Sequence, residues 1–408
     1  MSKRKLFISS AGFAVLALLV YQIPYVKTRV DWRIDLARTY LRGVVQPAGP
    51  VPTARPVTSG PPTPASTATR PPGPETQPGA SPTAVSTPTL VPLPASISLE
   101  APAYELQSIN NCGPATLTMA LRYYGWDGGQ SDISNVIKPI PEDRNVNPEE
   151  MAYWVRNFAG WLRAEYRVNG DLALLKRLLA AGFPVIIEEV FTFDDPFWPN
   201  DDLWAAHYLL LTGYDDASRT FTVQDSFHGA NLTLGYEKLD ANWEPFNRVY
   251  MLIYLPEQES RLREILGADW DPAGNRQSAL AASEAAAASD PDDAFAWFNL
   301  GTNLVALERY TEAAQAYDSA RQIGLPQRML RYQFGPFLAY FHAFRTEDLL
   351  TLADYALQRT PNSEEALLWK GWGLYRQGDT GGAVALWQKA LEERPGYPDA
   401  QYALDFVR

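Results

Sequence analysis

The only cysteine of this 408-residue chain, Cys112, lies at the start of a predicted helix, Gly113–Tyr124. Asn110 or Asn111 can cap this helix, and Pro114 suits its first turn. A lone buried cysteine is usually just a small hydrophobic residue. At a helix start, however, unpaired backbone amides and the helix dipole stabilise a thiolate. The position therefore favours a nucleophile, provided that partner groups exist.

The residues next to Cys112 can supply donors for an oxyanion. Gln107 lies on the preceding loop and can direct its side-chain amide to the same point as the backbone amide of Cys112. Two such donors would form an oxyanion hole for the tetrahedral intermediate of acyl transfer. Gly113 is expected to leave room for a substrate backbone.

A thiolate nucleophile also needs an imidazole that pairs with it and later protonates the leaving amine. His207 opens the predicted strand His207–Thr212, and Asp225 ends the predicted strand Thr220–Asp225. In an antiparallel hairpin centred on Asp216, His207 and Asp225 face each other with Cβ atoms about 5 Å apart. The same register pairs Leu209 with Val223 and Leu211 with Phe221. Asp225 is therefore the predicted orienting group for His207.

The two other histidines are weaker candidates. His228 follows Asp225 closely, but it lies in a predicted loop, Ser226–Asn231, and is interpreted as an exposed loop residue. His342 falls among the predicted helical repeats and is interpreted as a structural or surface residue.

These residues together resemble a known family. The segment from Gln107 to Ala115, the His207–Tyr208 pair and Asp225 resemble the papain-like bacteriocin-processing peptidases, and most closely the stand-alone relatives in cysteine-peptidase family 39. The resemblance extends from Tyr104 to Leu255. It implies a papain-like α+β fold.

The resemblance also implies a role for each matching residue. Cys112 would be the nucleophile, His207 the general base and acid, Asp225 the orienting group and Gln107 the oxyanion donor. The family often has Asp-Pro where this chain has Asp225 followed by Ser226. Its better-known members are fused to an export transporter and cut double-glycine leaders in the cytoplasm. That substrate is not expected here, because the domain is predicted to face outward.

Three functions are compatible with these residues. The first is a cysteine peptidase that hydrolyses peptide bonds through a Cys112 thioester, with a repeat module that recruits a protein partner or substrate. The second is a catalytically weak or inactive papain-like module that binds peptides. The third is an amidase or transpeptidase that acts on cell-wall peptides with the same nucleophile. The first is our leading hypothesis, and the presence of every residue that the mechanism requires favours an enzyme over the second.

Composition excludes several other classes of protein. The net charge of -12 argues against a nucleic-acid partner, which would reward clustered Lys and Arg. One cysteine permits neither an intramolecular disulfide nor a cysteine-cluster metal site. Three histidines supply few ligands for zinc. We therefore predict no cofactor and no metal.

Residues 1–45 predict a membrane anchor. Lys3, Arg4 and Lys5 precede about twenty mostly apolar residues, Leu6 to Val26, which suffice to cross a bilayer as a helix. The alternative is a cleaved secretory signal, although no small-residue cleavage site follows the apolar run. Both alternatives predict an extracytoplasmic location for the rest of the chain, and the first predicts a single-pass cell-membrane protein.

Residues 46–102 are rich in Pro, Thr, Ser, Ala and Gly, which predicts a disordered, semi-rigid linker. Residues 103–257 then show the mixed pattern of an α+β domain. Besides the elements above, it predicts helices Pro148–Ala159 and Asp171–Ala181, and strands Pro184–Val190 and Arg248–Leu255. An aromatic and acidic loop, Phe191 to Trp204, is either a substrate wall at the cleft mouth or a surface loop packed by its own aromatic rings.

Residues 258–408 predict an all-α solenoid. A period of about 34 residues resembles the tetratricopeptide repeat, whose small residues let two helices pack closely. Stacked repeats would form a groove for a protein partner. The first copy contains Trp297, Leu300, Gly301, Ala313, Tyr317 and Ala320, the middle copy Tyr340, Leu349, Ala353, Ala356 and Pro361, and the last copy Gly371, Gly378, Ala383, Trp387, Ala390 and Pro395.

Overall fold

The structure is a computed structural model that describes residues 19–47, 49–54, 92–140 and 145–408. It divides into two compact units. One combines Met1–Pro50 with Thr192–Ala205, and the other combines Val51–Phe191 with Ala206–Arg408. The second unit contains the predicted site and the repeats, so the following description concentrates on it.

The predicted membrane anchor lies largely outside the described residues. The structure describes a helix, α1, at Pro24–Val45. None of the helices in the described part of the chain combines the length and the apolar character that a bilayer crossing requires.

The predicted linker is folded at both of its ends. Residues 55–91 lie outside the described residues, but Val51 and Ala54 are buried, and Arg321 of the repeats donates to the carbonyl of Pro52 at 2.9 Å. At the other end, Ser96–Ser98 forms a strand of the main sheet. The prediction of a disordered segment over all of 46–102 was therefore wrong at these ends. Backbone hydrogen bonds fix them, and composition does not reveal such bonds.

Within the described residues, seven strands form one sheet in the order β2-β7-β3-β4-β5-β6, with β1 on β4. The β1–β4, β2–β7, β3–β7, β4–β5 and β5–β6 pairs are antiparallel. The strands are β1 (Ser96–Ser98), β2 (Arg163–Arg167), β3 (Val185–Thr192), β4 (Trp204–Asp215), β5 (Thr220–Asp225), β6 (Gly229–Gly235) and β7 (Tyr250–Tyr254).

The helices around this sheet begin with α2, whose first residue is Cys112. They are α2 (Cys112–Arg122), α3 (Gln130–Ile137), α4 (Pro148–Phe158), α5 (Leu172–Ala180), α6 (Tyr236–Trp243) and α7 (Glu259–Leu266). The α+β character of this domain is thereby confirmed. Strands β2 and β6 and helices α3 and α6 were not predicted, because each is only five to eight residues long and so gives little periodic signal, although both strands alternate polar and apolar residues.

Both faces of the sheet are buried, which explains the continuous apolar run in β4. Tyr208 and Leu210 join one core cluster, where they pack with residues of α2 and α4. Leu209 and Leu211 point the other way and join a second cluster with α5 and α6. Alternate residues of β4 therefore serve two cores.

The β4–β5 hairpin has a different register from the predicted one. Leu209 pairs with Asp225 and Leu211 pairs with Val223, so the predicted pairing of Leu209 with Val223 was wrong by two residues. The turn lies later in the chain, after Asp215 pairs with Thr220, and a bulge follows Leu211. A shift of two residues keeps every side chain on its face. His207 is therefore diagonal to Asp225 rather than opposite to it.

The repeats form pairs of helices, which come after one further helix at Pro272–Ser289. The elements are α8 (Pro272–Ser289), α9 (Ala294–Ala306), α10 (Tyr310–Ile323), α11 (Met329–Tyr332), α12 (Gly335–His342), α13 (Thr346–Arg359), α14 (Glu364–Arg376), α15 (Thr380–Glu393) and α16 (Pro398–Phe406). The pairs α9/α10, α12/α13 and α14/α15 pack against each other, as the repeat spacing predicted.

Glycine allows close approach in two of these pairs. A Cβ added at Gly301 of α9 would lie 2.7 Å from the ring of Tyr317 on α10, and one added at Gly371 of α14 would lie 2.3 Å from Trp387 on α15. Both rings are fully buried and cannot move aside cheaply. The predicted role of these small residues is therefore confirmed.

Gly301→Ala should lower the free energy of unfolding by about 1–3 kcal/mol, because the added methyl group overpacks the α9/α10 interface. Gly381→Ala in α15 is the matched control, since its new Cβ would be 3.8 Å from its nearest neighbour atom. The control should be neutral or stabilising by up to about 1 kcal/mol. Denaturant unfolding measures both variants, and an equal loss of stability in both would contradict this account of the repeat packing.

Candidate active site

Cys112 is the first residue of α2 and is partly buried. The ring of His207 and the backbone N–H groups of Tyr208 and Gly113 each help to lower the pKa of its thiol, so these groups surround the sulfur. The N-terminal end of α2 therefore lies against β4 at His207, which supplies the imidazole, and at Tyr208, which supplies a backbone amide. The prediction that Gly113 leaves room for substrate was wrong. Gly113 is buried, and a Cβ there would lie 3.3 Å from Val146.

His207 and Asp225 meet as predicted, although the register differs. His207 Nε2 lies 2.8 Å from Asp225 Oδ1, and both side chains are buried. Since Asp225 occupies Nε2, the other ring nitrogen remains for the thiol. The structure thus brings Cys112, His207 and Asp225 together, with His207 between the thiol and the carboxylate.

The charges of Cys112, His207 and Asp225 reinforce one another. Burial alone would raise the pKa of Cys112, but the hydrogen bond and the positive charge of His207 outweigh burial and lower it from its ordinary value. Burial alone would lower the pKa of His207, but hydrogen bonds to Asp225 and Cys112 raise it to about 10. Opposite charges at contact distance favour the ionised form of each group. His207 is therefore an imidazolium at neutral pH, and its charge favours the thiolate form of Cys112.

Asp225 contacts a second imidazole, which the sequence interpretation missed. His228 Nδ1 lies 2.7 Å from Asp225 Oδ2, and the amides of Phe227 and His228 donate to Oδ1 at 2.8 and 3.1 Å. Burial alone would raise the pKa of Asp225. The hydrogen bond and charge of His207, and then the hydrogen bonds from His228 and from the Phe227 amide, outweigh burial and lower this pKa below its usual range. The interpretation of His228 as a mere exposed loop residue was wrong, although half of its side chain is exposed.

Gln107 is attached to the residue that follows Asp225. Its backbone N–H donates to the Ser226 carbonyl at 2.8 Å, and its side-chain Oε1 accepts from the Ser226 hydroxyl at 2.9 Å. Within the described residues, Gln107 Nε2 donates to no protein group. Ser226, which stands where the family often has proline, thus supplies a hydroxyl that orients the Gln107 amide.

Two buried carboxyl groups of β3 lie on opposite faces beside the site. Burial raises the pKa of Glu189 to about 7, against a hydrogen bond from Asn242 and the charge of His207. Burial also raises the pKa of Glu188 well above its usual value, and the thiolate of Cys112 adds to this effect. Glu189 therefore changes charge near neutral pH, and burial also favours the neutral form of Glu188.

Periodicity could not reveal these neighbours, since Glu188 and Glu189 look like a polar interruption of a strand. His228 had a usable signal. An aspartate that ends a strand commonly accepts hydrogen bonds from the backbone amides two and three residues later, which turns the chain back beside it.

Among the described residues, no group of three or more His, Cys, Asp or Glu side chains could hold a metal. The position of the Phe191–Trp204 loop at the cleft mouth stays a prediction.

Family models match most of the second unit. Residues 98–251 match the model described as "Peptidase_C39 like family", and residues 273–325 and 350–402 match a tetratricopeptide repeat model. These matches confirm both resemblances inferred from the motifs. A comparison with curated proteins found no match.

Solved structures with similarity to this chain include two peptidases at 16% identity. A C39-like peptidase from Bacillus anthracis has a TM-score of 0.31 and is covered to 97%, against 39% of this chain. Xylellain, a cysteine protease from Xylella fastidiosa, has a TM-score of 0.32 and is covered to 87%, against 40% of this chain. For the repeats, the tetratricopeptide protein YrrB is 17% identical, with a TM-score of 0.19, and is covered to 97%, against 36% of this chain.

The lowered pKa of Cys112 predicts how its alkylation depends on pH. Iodoacetamide reacts with the thiolate, so the rate should persist to a lower pH than that of a small free thiol. His207→Gln removes the hydrogen bond and the charge that lower this pKa. It should shift the profile to higher pH and reduce the rate at pH 6 about tenfold or more. Since Cys112 is the only cysteine, mass spectrometry reports on it alone.

His342→Gln, in the repeats, is the matched control for loss of a histidine and should leave the profile unchanged. A wild-type profile that coincides with that of a small free thiol would contradict an activated Cys112.

Proposed function

Because residues 98–251 belong to the Peptidase_C39-like family and tetratricopeptide repeats follow them, we propose that this chain is a cysteine peptidase with Cys112 as its nucleophile. The observation that carries the proposal is the arrangement of Cys112, His207 and Asp225, in which His207 interacts with the thiol and forms a 2.8 Å hydrogen bond with Asp225. A thiolate beside an imidazolium is already in the charge state that acyl transfer requires, so no proton has to leave the thiol first.

In the first half of the reaction, the Cys112 thiolate attacks the carbonyl carbon of the scissile amide. The carbonyl oxygen becomes an oxyanion, and the backbone N–H of Cys112 and the Nε2 amide of Gln107 donate to it. The first N–H groups of a helix lack intrahelical partners, so the Cys112 donor is available. The His207 imidazolium then protonates the leaving amine, the C–N bond breaks, and a thioester remains on Cys112.

In the second half, neutral His207 takes a proton from a water molecule that attacks the thioester. The C–S bond breaks, the product leaves as a carboxylic acid, and the thiolate and imidazolium are restored. Asp225 keeps the imidazole in the orientation that both proton transfers need. We assign His228 as a positioning residue, because its ring nitrogen holds the second oxygen of Asp225 and limits rotation of that carboxylate.

Cleavage of a peptide library by the detergent-solubilised full chain tests this function. Wild type should produce new peptide termini, Cys112→Ala should produce none, and Asp225→Asn should lower kcat/KM by about 100-fold or more. Asp215→Asn is the matched control, because Asp215 caps the opposite end of the same hairpin and contacts no imidazole. It should keep wild-type activity.

Purified cell-wall peptides should be digested alongside the library. Turnover of cell-wall peptides alone would replace the peptidase proposal by an amidase or transpeptidase. Unchanged turnover in Cys112→Ala would refute the nucleophile. No turnover of either substrate set, together with peptide binding, would indicate a binding module.

We also propose that the chain is anchored in the cell membrane by the Leu6–Val26 segment, with the peptidase domain and repeats outside. The support is the length and apolar character of that segment and the preceding basic cluster. A membrane-impermeant maleimide should label Cys112 in intact cells. Labelling that appears only after lysis would refute the outward orientation, and recovery in the soluble fraction would refute the anchor.

A further inference from the structure

Both donors of the proposed oxyanion hole belong to one irregular segment, residues 105–112. Residues 105–108 lie in neither a helix nor a strand, and α2 begins only at Cys112. Asn110 has a left-handed backbone, with a φ of 54°, in the tight turn that leads into α2. A segment outside helices and sheets depends on side-chain contacts for its position. The contacts of this segment therefore decide where the two donors point.

The side chain of Gln130, the first residue of α3, holds the two peptide groups next to Gln107. Its Nε2 donates to the carbonyl oxygen of Leu106 at 2.8 Å. Its Oε1 accepts a hydrogen bond from the backbone N–H of Ser108 at 2.8 Å. The Leu106 carbonyl belongs to the peptide group before Gln107, and the Ser108 N–H belongs to the peptide group after it. Because peptide groups are planar, one side-chain amide fixes the backbone of Gln107 from both sides.

The same amide oxygen also holds the residue before Cys112. Asn111 Nδ2 donates to Gln130 Oε1 at 2.6 Å, and the Ser108 hydroxyl donates to it at 2.9 Å. Asn111 is buried, and the peptide group that follows it contains the N–H of Cys112, the second proposed donor. Gln130 is therefore hydrogen-bonded next to both donors.

Gln130 itself stands on a rigid support. Ile133 and Ile137 of α3 are buried in the core cluster that also contains residues of α2. The backbone N–H and Nε2 of Gln130 both donate to Glu105 Oε1, at 3.3 and 2.8 Å. Glu105 in turn forms an ion pair with Arg122, the last residue of α2, at 2.9 Å. Two packed helices therefore keep the Gln130 amide in one orientation.

We propose that Gln130 is a positioning residue for the oxyanion hole. Gln130 holds the backbone around Gln107, while Ser226 holds the Gln107 side chain. Gln107 Nε2 and the Cys112 N–H are thereby directed at the same oxyanion. The inference rests on the acyl transfer proposed above, and Gln130 acts in it only through other residues.

This role separates oxyanion stabilisation from activation of the thiol. Burial raises the pKa of Cys112, and His207, Tyr208 and Gly113 lower it. In the described part of the chain, Gln130 forms hydrogen bonds with none of these residues. Loss of its amide should therefore leave the thiolate reactive but displace an oxyanion donor. A displacement of about 1 Å in a reacting group costs up to about 100-fold in rate.

Two reagents distinguish these properties in the detergent-solubilised full chain. The ester p-nitrophenyl acetate acylates Cys112: the thiolate adds to the carbonyl carbon, an oxyanion forms, and the C–O bond breaks to release nitrophenolate. Iodoacetamide alkylates the same thiolate by displacement of iodide from a saturated carbon, so no oxyanion forms. The ratio of first-turnover acylation rate to alkylation rate therefore reports on the oxyanion hole. Nitrophenolate release by Cys112→Ala is subtracted as background.

Gln130→Met keeps the length of the side chain but removes its amide. It should lower the acylation rate about tenfold or more and change the alkylation rate by less than about twofold. Gln107→Ala, which removes the donor itself, should have a similarly selective effect. The double variant should lose much less than the product of the two single losses, because Gln130 acts through Gln107.

Gln258→Met is the matched control. Gln258 Oε1 also accepts a backbone hydrogen bond, from the Leu255 N–H at 2.9 Å, but it does so after the end of β7. This variant should match wild type in both rates.

A second variant keeps the test independent of how well Gln130→Met folds. Gln130→Glu retains the size of the side chain and an acceptor for Ser108, but it places a second carboxylate against Glu105. It should also lose acylation selectively. Glu105→Gln added to it restores an amide that faces a carboxylate, and should recover part of the acylation rate. A cooperative melting transition shows that each variant is folded.

Three results would overturn the positioning role. The first is unchanged acylation in Gln130→Met, or an equal loss of acylation and alkylation. The second is a double variant whose loss equals the product of the single losses. The third is a wild-type ratio equal to that of a small free thiol, since no oxyanion hole would then exist.

Failure of the peptidase proposal gives a different result. Since the ester contains no peptide, Gln130→Met can lose acylation selectively in a chain that cleaves no library peptide. That outcome supports the positioning role and refutes only the peptidase. Conversely, peptide cleavage by a chain in which Gln130→Met keeps full acylation refutes only the role of Gln130.

Discussion

Both oxygens of the Asp225 carboxylate form hydrogen bonds with imidazole rings, Oδ1 with His207 and Oδ2 with His228. Two backbone amides of the following turn also donate to Oδ1. The negative charge that they stabilise helps to keep His207 protonated, and His207 in turn lowers the pKa of the Cys112 thiol. A buried carboxylate with fewer donors would take up a proton, and the charge on the other two groups would be lost with it.

Residues next to Asp225 and next to the start of α2 connect the site to the rest of the chain. Ser226, directly after Asp225, holds Gln107 through both its hydroxyl and its carbonyl oxygen. Near the start of α2, Val146 packs against Gly113, and its neighbour Asn145 contacts the repeats. The peptidase domain and the repeats are consequently packed around a common loop. A partner held by the repeats would be held near the reacting sulfur, at a high effective concentration.

Much of this arrangement was predictable from the sequence, because the residues involved lie in short local patterns that can be recognised without the fold. A cysteine at a helix start, a histidine on an apolar strand and an aspartate at the end of the next strand are positions that short-range patterns reveal. The error of two residues in the hairpin register did no harm, since strand side chains alternate and an even shift preserves the face. An odd shift would have placed His207 and Asp225 on opposite sides of the sheet.

The amino-acid sequence by itself pointed to Cys112, His207 and Asp225 as one group, and to the α+β domain and the repeats, because side-chain type and periodicity encode each of them locally. Only the tertiary structure decided that His228 shares Asp225 and that Ser226 holds Gln107. Each of these depends on which groups meet across elements that are distant in the chain or turned back on it. Burial and hydrogen-bonding partners set the charge of such groups, and residue type alone reveals neither of them.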